Sequence, residues 1–275
     1  MTRRPALIGA VLSAALTVLP MPDAQAQTLA WQVEASAGLE RLSNGTPDWR
    51  QVDVSLRRRF AAGAQAEITL REAQRYGRRD SEFAVGLALP LDDAWTVALR
   101  ATAADAAHFL PSRGGQVELS RRLSAGWVAS ASLGRNRYDS AANPATGTSL
   151  LRLGAEHYVG AWRLAAGVTH ARLDGGASAD GWRAQVDRYI GDGGRIGLLV
   201  AGGRELESAP DGVISTRVDA LVLVGRWPIA AGWALTGDVA GTRVGNIVRR
   251  TGSGNTTLPG GYRRNAGRIG VQHEF

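Results

Sequence analysis

The sequence predicts an all-β protein, namely a closed antiparallel transmembrane β-barrel of about 14 strands, with 12 or 16 strands also compatible. Three observations carry this prediction: apolar and polar residues alternate over segments of about ten residues, short and longer connections alternate along the chain, and tryptophans recur beside the short connections. Outer-membrane barrels combine these features, because alternate residues face lipid and lumen and the loops are longer on one side.

Composition narrows the class of protein further. The chain has 275 residues, of which 44% are hydrophobic and 21% charged, so an intrinsically disordered chain is excluded. It contains no cysteine, which excludes disulfides and cysteine-ligated metal clusters. Beyond the N-terminus no run of about 18 apolar residues occurs, and a helical membrane protein is therefore excluded as well.

The first 26 residues are predicted to be a Sec-type signal peptide. Arg3 and Arg4 form a positive start, an apolar stretch runs from Ala6 to Leu19, and Ala24-Gln25-Ala26 fits a cleavage site. Cleavage near Ala26 leaves residues 27–275 as one barrel domain. Export combined with a barrel pattern predicts the outer membrane of a Gram-negative bacterium.

Strands of period two follow from Trp31 onward. Val52, Val54 and Leu56 alternate with polar residues, and Ile68 and Leu70 continue the same pattern in the next segment. The predicted short turns lie at 61–63, 92–94, 124–126, 160–161, 191–194 and 228–232, and the predicted longer loops at 42–48, 77–80, 105–115, 139–147, 173–180, 206–212 and 245–261. These connections give 14 strands, with short turns facing the periplasm and longer loops facing outward.

Aromatic residues are predicted at the two membrane interfaces, where amphipathic rings are enriched. The predicted interface tryptophans are Trp31, Trp95, Trp127, Trp162, Trp227 and Trp233 on the short-turn side, and Trp49 and Trp182 on the long-loop side. Phe60, Tyr158 and Tyr189 join the first row, and Tyr76, Tyr138 and Tyr262 join the second.

The C-terminal strand carries a predicted assembly signal. Val271, His273 and the terminal Phe275 alternate with small or polar residues, including Gly270. A terminal aromatic on an alternating strand resembles the signal that the barrel-assembly machinery reads. That machinery and periplasmic chaperones are the partners expected during biogenesis, and outer-membrane lipid and lipopolysaccharide are expected afterwards.

The polar positions of the strands are predicted to line the lumen, since a charge near the bilayer midplane costs about 2–4 kcal/mol. The predicted network comprises Asp53, Arg57, Glu67, Arg71, Arg100, Glu118, Arg152, Glu156, Arg163, Arg183, Asp187, Arg217, Asp219, Asp238, Arg264 and Arg268. Four arginines, Arg58, Arg121, Arg188 and Arg243, fall on the outward positions and are expected near the interfaces. Carboxylates and guanidiniums are balanced, which favours a cross-braced, narrow interior over a strongly ion-selective pore.

Enzymatic chemistry is not predicted from the residues. GxSxG and HExxH are absent, and no serine is placed by the sequence beside His108, His157, His170 or His273. No catalytic residue, cofactor site or metal site is therefore predicted. The basic residues are spread along strands, which argues against binding of nucleic acid.

Several short segments resemble the YaiO family of outer-membrane β-barrels, over roughly Trp49 to Phe275. The matching pieces are Arg58-Arg59-Phe60 with Gly63, Arg75-Tyr76-Gly77 with Asp80, Leu89-Pro90-Leu91 with Trp95-Thr96, Phe109-Leu110-Pro111, Leu119-Ser120-Arg121-Arg122-Leu123 with Gly126-Trp127, and Arg137-Tyr138. The resemblance implies an outer-membrane barrel. Related barrel domains occur beside exopolysaccharide machinery, which implies export components as partners.

Two functions follow as expectations. The first is a passive channel or an accessory for secretion and transport of polar or saccharide substrates. The alternative is a structural or surface-interaction barrel whose extracellular loops bind a ligand. The loop motif Phe109, Leu110 and Pro111 has two interpretations as well, a constriction folded into the lumen or an anchor packed on the rim, and we favour the anchor.

Overall fold

The computed structural model describes residues 30–140, 143–209, 212–251, 254–258 and 260–275, so the predicted signal peptide lies outside the described residues. The strands are β1 (Trp31–Leu42), β2 (Trp49–Arg59), β3 (Gln65–Arg75), β4 (Arg78–Pro90), β5 (Trp95–Asp105), β6 (Arg113–Ser124), β7 (Trp127–Ser140), β8 (Asn143–Val159), β9 (Trp162–Leu173), β10 (Ser178–Ile190), β11 (Gly194–Ala209), β12 (Gly212–Ala230), β13 (Trp233–Thr251), β14 (Gly254–Leu258) and β15 (Tyr262–Glu274). A single 3-10 turn, Ala61–Gly63, joins β2 to β3. Within the described ranges no helix is long and apolar enough to cross a membrane.

The sheet closes on itself through the first and last strands. Each strand from β1 to β13 pairs antiparallel with the next, β13 pairs with β15, and β15 pairs with β1 from Gln32↔Glu274 to Leu42↔Arg264. The short β14 pairs with the far end of β13 and stands outside this ring. Closure leaves no unpaired edge in the ring, as a membrane-spanning sheet requires. The predicted closed barrel of 14 strands is confirmed.

The two ends of the barrel differ, as predicted. At the short-turn end lie both described termini, where the Trp31 N–H donates to the Phe275 carbonyl and the Phe275 N–H donates back, each at 2.9 Å. At the opposite end, here called the loop end, several connections are shorter than predicted because the strands continue into them. Strand pairing occupies most of 139–147, 206–212 and 245–261, and β3 turns into β4 over Tyr76 and Gly77, both at positive φ.

The outward face is a belt of exposed aliphatic residues. Leu133 and Val239, for example, are 60% and 65% exposed, and Leu221 and Leu223 lie on the same face of β12. The largest fully buried side chains of the described chain are instead two carboxylates, Asp80 and Asp187. An apolar exterior around a polar interior is the arrangement that lipid selects, because acyl chains replace water outside the sheet.

Five tryptophans at the short-turn end each face a cation or an imidazole directly across the strand pair. Arg58 lies over the ring of Trp31 at 4.9 Å, and Arg121 and Arg188 lie over Trp95 and Trp162 at 5.0 and 5.3 Å. His157 and His273 stack on Trp127 and Trp233, with ring centroids 4.3 and 4.2 Å apart. These pairs explain how arginines are tolerated on the lipid side, since the guanidinium is held over an aromatic face at the interface.

Some of the aromatic residues predicted to lie at the membrane interfaces face the lumen instead. Trp31, Trp95, Trp127, Trp162, Trp182, Trp227 and Trp233 share strand positions with the outward residues, whereas Trp49 is only 3% exposed and points into the lumen. Tyr138, Tyr158, Tyr189 and Tyr262 also occupy inner positions. The reason is parity: Trp49 lies two positions before Gln51 and four before Asp53, and both of these residues face the lumen.

Candidate functional site

The inner face carries a charged wall along β2 to β5. Arg71 donates from Nε to Asp53 Oδ1 at 2.7 Å and lies 3.3 Å from Glu82 Oε1. One row nearer the short turns, Arg57 Nε donates to Glu67 Oε2 at 2.9 Å, and Arg100 Nη1 lies 3.6 Å from the other oxygen of Glu67. Each guanidinium therefore ties neighbouring strands together with charge-assisted bonds.

A second, tighter cluster links β8, β9 and β10 near the short-turn end. Arg163 binds both oxygens of Glu156, at 2.9 Å from Nε and 2.6 Å from Nη2, and reaches Asp187 Oδ2 from Nη1 at 2.7 Å. Tyr158 donates to Glu156 at 2.6 Å, and Gln185 donates to Asp187 at 2.8 Å. Because Asp187 is completely buried, these bonds are its substitute for water.

An aliphatic wall lies beyond this charged surface, on β11 and β12. Leu199 of β11 and Val218, Val222 and Val224 of β12 occupy inner positions, and Leu199 and Val218 are buried. The lumen is thus amphipathic: charged side chains line β2 to β10, and aliphatic side chains line part of the remainder. The sequence prediction missed this wall because β12 is apolar at both parities.

The predicted network can now be placed. The structure puts Asp53, Arg57, Glu67, Arg71, Arg100, Glu118, Arg152, Glu156, Arg163, Arg183, Asp187, Asp238, Arg264 and Arg268 on the inner face. Arg152 reaches Gln116 at 3.4 Å, and Arg268 pairs with Asp238 at 2.6 Å.

The prediction was wrong for Arg217 and Asp219, which lie on the outward face at the loop end and pair with each other at 3.1 Å. Register shows why, because Asp219 is opposite Gly202 and shares the outward parity of Leu221. These two charges lie at the level of Trp182, near the membrane surface, where the cost of an outward charge is small.

The loop between β5 and β6 is fastened to the barrel interior by Asp80. Its Oδ1 accepts hydrogen bonds from the His108 backbone N–H at 2.9 Å and from His108 Nδ1 at 2.8 Å. Its Oδ2 accepts from the backbone N–H groups of Phe109 and Leu110, both at 2.8 Å. Asp80 is fully buried and sits on the inner face of β4, opposite Ala73. The carboxylate therefore fixes this loop at the mouth of the barrel.

Phe109 is the first member of a stack of side chains at the mouth, here called the mouth stack. Its ring lies 5.5 Å from the Arg75 guanidinium, which in turn lies 4.6 Å from the ring of Trp49. On the far side, Arg264 lies 5.7 Å from Trp49 and hydrogen-bonds Glu205 at 3.4 Å. The contacts run from the β5–β6 loop through β3, β2 and β15 to β11. They thus span a chord of the lumen.

The loop motif packs at the mouth of the barrel, on the lumen side. Phe109 is 4% exposed and packs on Arg75, whose strand position faces the lumen. Asp80 fastens the motif there as an anchor would be fastened, and a constriction of the lumen by this loop stays a prediction. The Asp80 carboxylate was not among the predicted site residues, and its four donors lie 28 to 30 residues away along the chain.

The C-terminal residues adopt the alternation expected of the assembly signal. Val271 and Phe275 are exposed on the outward side, His273 stacks on Trp233, and Gly270 faces inward between Ser36 and Thr236. In the described part of the chain no group of three or more His, Asp or Glu side chains is arranged to hold a metal ion.

Comparisons with known proteins agree with this architecture. The sequence model of the YaiO membrane β-barrel domain matches residues 31–199. No curated protein matches the chain. Among solved structures, a CymD monoaromatic hydrocarbon channel aligns with a TM-score of 0.59 at 8% identity, covering 90% of this chain and 89% of that one.

Two other solved structures share the fold. A bacterial polysaccharide outer-membrane secretin aligns with a TM-score of 0.54 at 6% identity, covering 89% of this chain and 98% of that one. An anion-selective porin from Comamonas acidovorans aligns with a TM-score of 0.52 at 10% identity, covering 90% of this chain and 99% of that one. At such low identity, the likeness extends to the fold alone.

Proposed function

Because this chain belongs to the YaiO family of membrane β-barrels, and is therefore an outer-membrane barrel, we propose that it is a passive channel for polar solutes of the saccharide class. The observation that carries the proposal is the amphipathic lumen, in which a charged wall and an aliphatic wall line the same passage. Function in barrels of this fold depends on the lining and the mouth, since the fold itself serves many activities.

Saccharides match both walls of the lumen. A sugar ring presents hydroxyl groups around its edge and C–H bonds on its faces. The hydroxyls can exchange hydrogen bonds with the paired guanidiniums and carboxylates of β2 to β5, while the C–H faces fit Val222 and Val224. A lining of this kind favours neutral polar solutes over bare ions.

Charge balance supports the same conclusion. Arg71 is shared between Asp53 and Glu82, and Glu67 is shared between Arg57 and Arg100, so neither sign dominates this wall. Strong selectivity for anions or cations requires a ring of one sign. We therefore expect weak ion selectivity together with discrimination by size.

The mouth stack lies on the inner face at the loop end, where a solute would enter the lumen. Trp49 Nε1 and Arg264 Nε are buried there without a hydrogen-bond partner among the described residues. A buried, unsatisfied donor costs about 1–3 kcal/mol, which an entering hydroxyl group would recover. Trp49 also offers an aromatic surface on which a sugar face can rest once Arg75 moves aside.

The experiment is block of ion current by linear oligosaccharides in planar bilayers. We expect wild-type protein to conduct and to be blocked with a dependence on oligosaccharide length. The double variant Val222→Thr and Val224→Thr keeps the volume of the aliphatic wall but adds hydroxyls, so block should weaken severalfold. Val85→Thr, on the outward face of β4, is the matched control and should behave as wild type. Folded barrels that never conduct, or block that is equal in all three proteins, would contradict the proposal.

A further inference from the structure

We propose that the outward face of β6 to β9 at the loop end binds the phosphate group of a phosphorylated glycolipid in the outer leaflet. The site, here called the arginine pocket, is formed by Arg113, Arg135 and Arg137, and Arg172 lies near it on β9. It lies outside the barrel and does not depend on conduction through the lumen.

Strand register brings these arginines together in two rows. In the lower row, Arg135 of β7 and Arg172 of β9 lie on either side of Ser149 of β8. In the row above, Arg113 of β6 lies directly opposite Arg137 of β7. All four occupy outward positions, because Arg135 and Arg137 share the parity of the exposed Leu133.

A cavity of about 450 Å³ opens between the rows, lined by Arg113, Arg135, Arg137, Gly147 and Asp174 together with Gly114, Gly115 and Thr146. The Arg135 guanidinium and the Asp174 carboxylate lie directly against the backbone of Gly147 at the floor of the cavity, in the space that a Cβ atom would fill. The concave shape allows several guanidinium groups to approach a single anion.

The charges of the arginine pocket are unbalanced. Arg137 chelates both oxygens of Asp139 at 2.9 Å, and Asp174 accepts from Arg135 and, at 2.7 Å, from the Gly147 N–H. The hydrogen bond from Arg135 lowers the pKa of Asp174, which lies in the exposed turn after β9. Three guanidiniums thus meet two carboxylates, and directly opposed like charges such as Arg113 and Arg137 destabilise a strand pair. An anion bound between them would relieve this repulsion.

The depth of the pocket identifies the source of the anion. Directly below the lower row, Val117, Leu133 and Leu151 form a continuous outward row of exposed aliphatic residues. Two residues along a strand span about 6–7 Å, so Arg135 stands one headgroup depth above Leu133. A ligand that contacts both the arginines and the aliphatic row below them has a phosphate group joined to acyl chains. Guanidinium groups bind phosphate through paired N–H donors, which suits them to this contact.

The test uses full-length protein delipidated in detergent and probed by native mass spectrometry with bisphosphorylated lipid A, with dephosphorylated lipid A, and with inorganic phosphate as competitor. The test variant is Arg113→Gln, Arg135→Gln and Arg137→Gln combined. The matched control is Arg58→Gln, Arg121→Gln and Arg188→Gln combined, which removes three outward arginines from the opposite interface. A heat-dependent gel shift confirms that each variant is folded.

We expect the test variant to lose affinity for lipid A about tenfold or more, since three partly exposed charge contacts disappear. The control variant should bind lipid A as wild type does. Wild type and test variant should bind dephosphorylated lipid A with the same affinity. Equal lipid A binding by test variant and wild type would overturn the proposal, as would equal loss in the control. Displacement of lipid A by inorganic phosphate at millimolar concentration would show a site for free phosphate, which also contradicts it.

Discussion

Replacement of Arg163 with methionine is expected to lower the free energy of unfolding by about 3–5 kcal/mol, the usual cost of removing one partner from a buried ion pair. Arg163 is 3% exposed and supplies hydrogen bonds to both Glu156 and Asp187. Methionine fills the space but leaves two carboxylates without their cation, and Asp187 has no access to water. Unfolding by urea in lipid vesicles, followed by tryptophan fluorescence, measures the change.

Two comparisons make the result interpretable. Arg217→Met breaks an exposed pair with Asp219 and should cost no more than about 1 kcal/mol. Combining Arg163→Met with Asp187→Asn removes one of the stranded charges, so the double variant should recover part of the loss. If Arg163→Met costs no more than Arg217→Met, the buried cluster does not brace β8, β9 and β10 as described.

Removal of the Asp80 carboxylate is expected to widen the mouth of the barrel. In Asp80→Ala, four donors of the β5–β6 loop lose their acceptor, and hydrogen bonds to a charged group contribute about 1.5–3 kcal/mol each. Ala106 and Ala107 already hold positive φ angles of 62° and 36°, a strained conformation that the carboxylate helps to maintain. The loop should therefore leave the mouth and release Phe109 from Arg75.

Single-channel recording measures this change, and we expect a larger conductance together with passage of longer oligosaccharides. Asp92→Ala is the matched control, because Asp92 caps a short turn by the same chemistry, accepting from the Ala94 and Trp95 N–H groups at 2.7 Å. It lies at the opposite end of the barrel and should leave conductance unchanged. A conductance of Asp80→Ala equal to that of wild type would show that the loop does not limit the path.

The barrel itself could be predicted from the sequence because its physical cause is local. Because lipid lies outside the barrel and water inside it, apolar and polar residues alternate along each strand. Hairpin connections place turns at regular intervals, so both features can be recognised along the chain. The position of Trp49 was also readable, since it shares parity with Gln51 and Asp53. The sequence prediction placed Trp49 at the interface because it directly follows a loop, but its side chain follows the parity of its strand.

Other features could not be read in this way. Strand β12 is apolar at both parities, with Val218, Val222 and Val224 on one side and Leu221 and Leu223 on the other. Only pairing with β11 decides which side is inner. The contact between Asp80 and this loop could not be read from the chain either, although both belong to the segments that resemble the family, because three of the four hydrogen bonds come from backbone N–H groups that any residue supplies.

Strand β12 therefore offers the most direct test of which face of the sheet meets lipid. The chain has no cysteine, so single cysteines at positions 220 to 224 can each carry one spin label without background. In lipid vesicles, labels at 221 and 223 should be relaxed by oxygen, which concentrates in lipid, and labels at 220, 222 and 224 by a water-soluble nickel chelate. Alternation of the opposite phase, or equal relaxation at all five positions, would contradict the assignment of inner and outer faces.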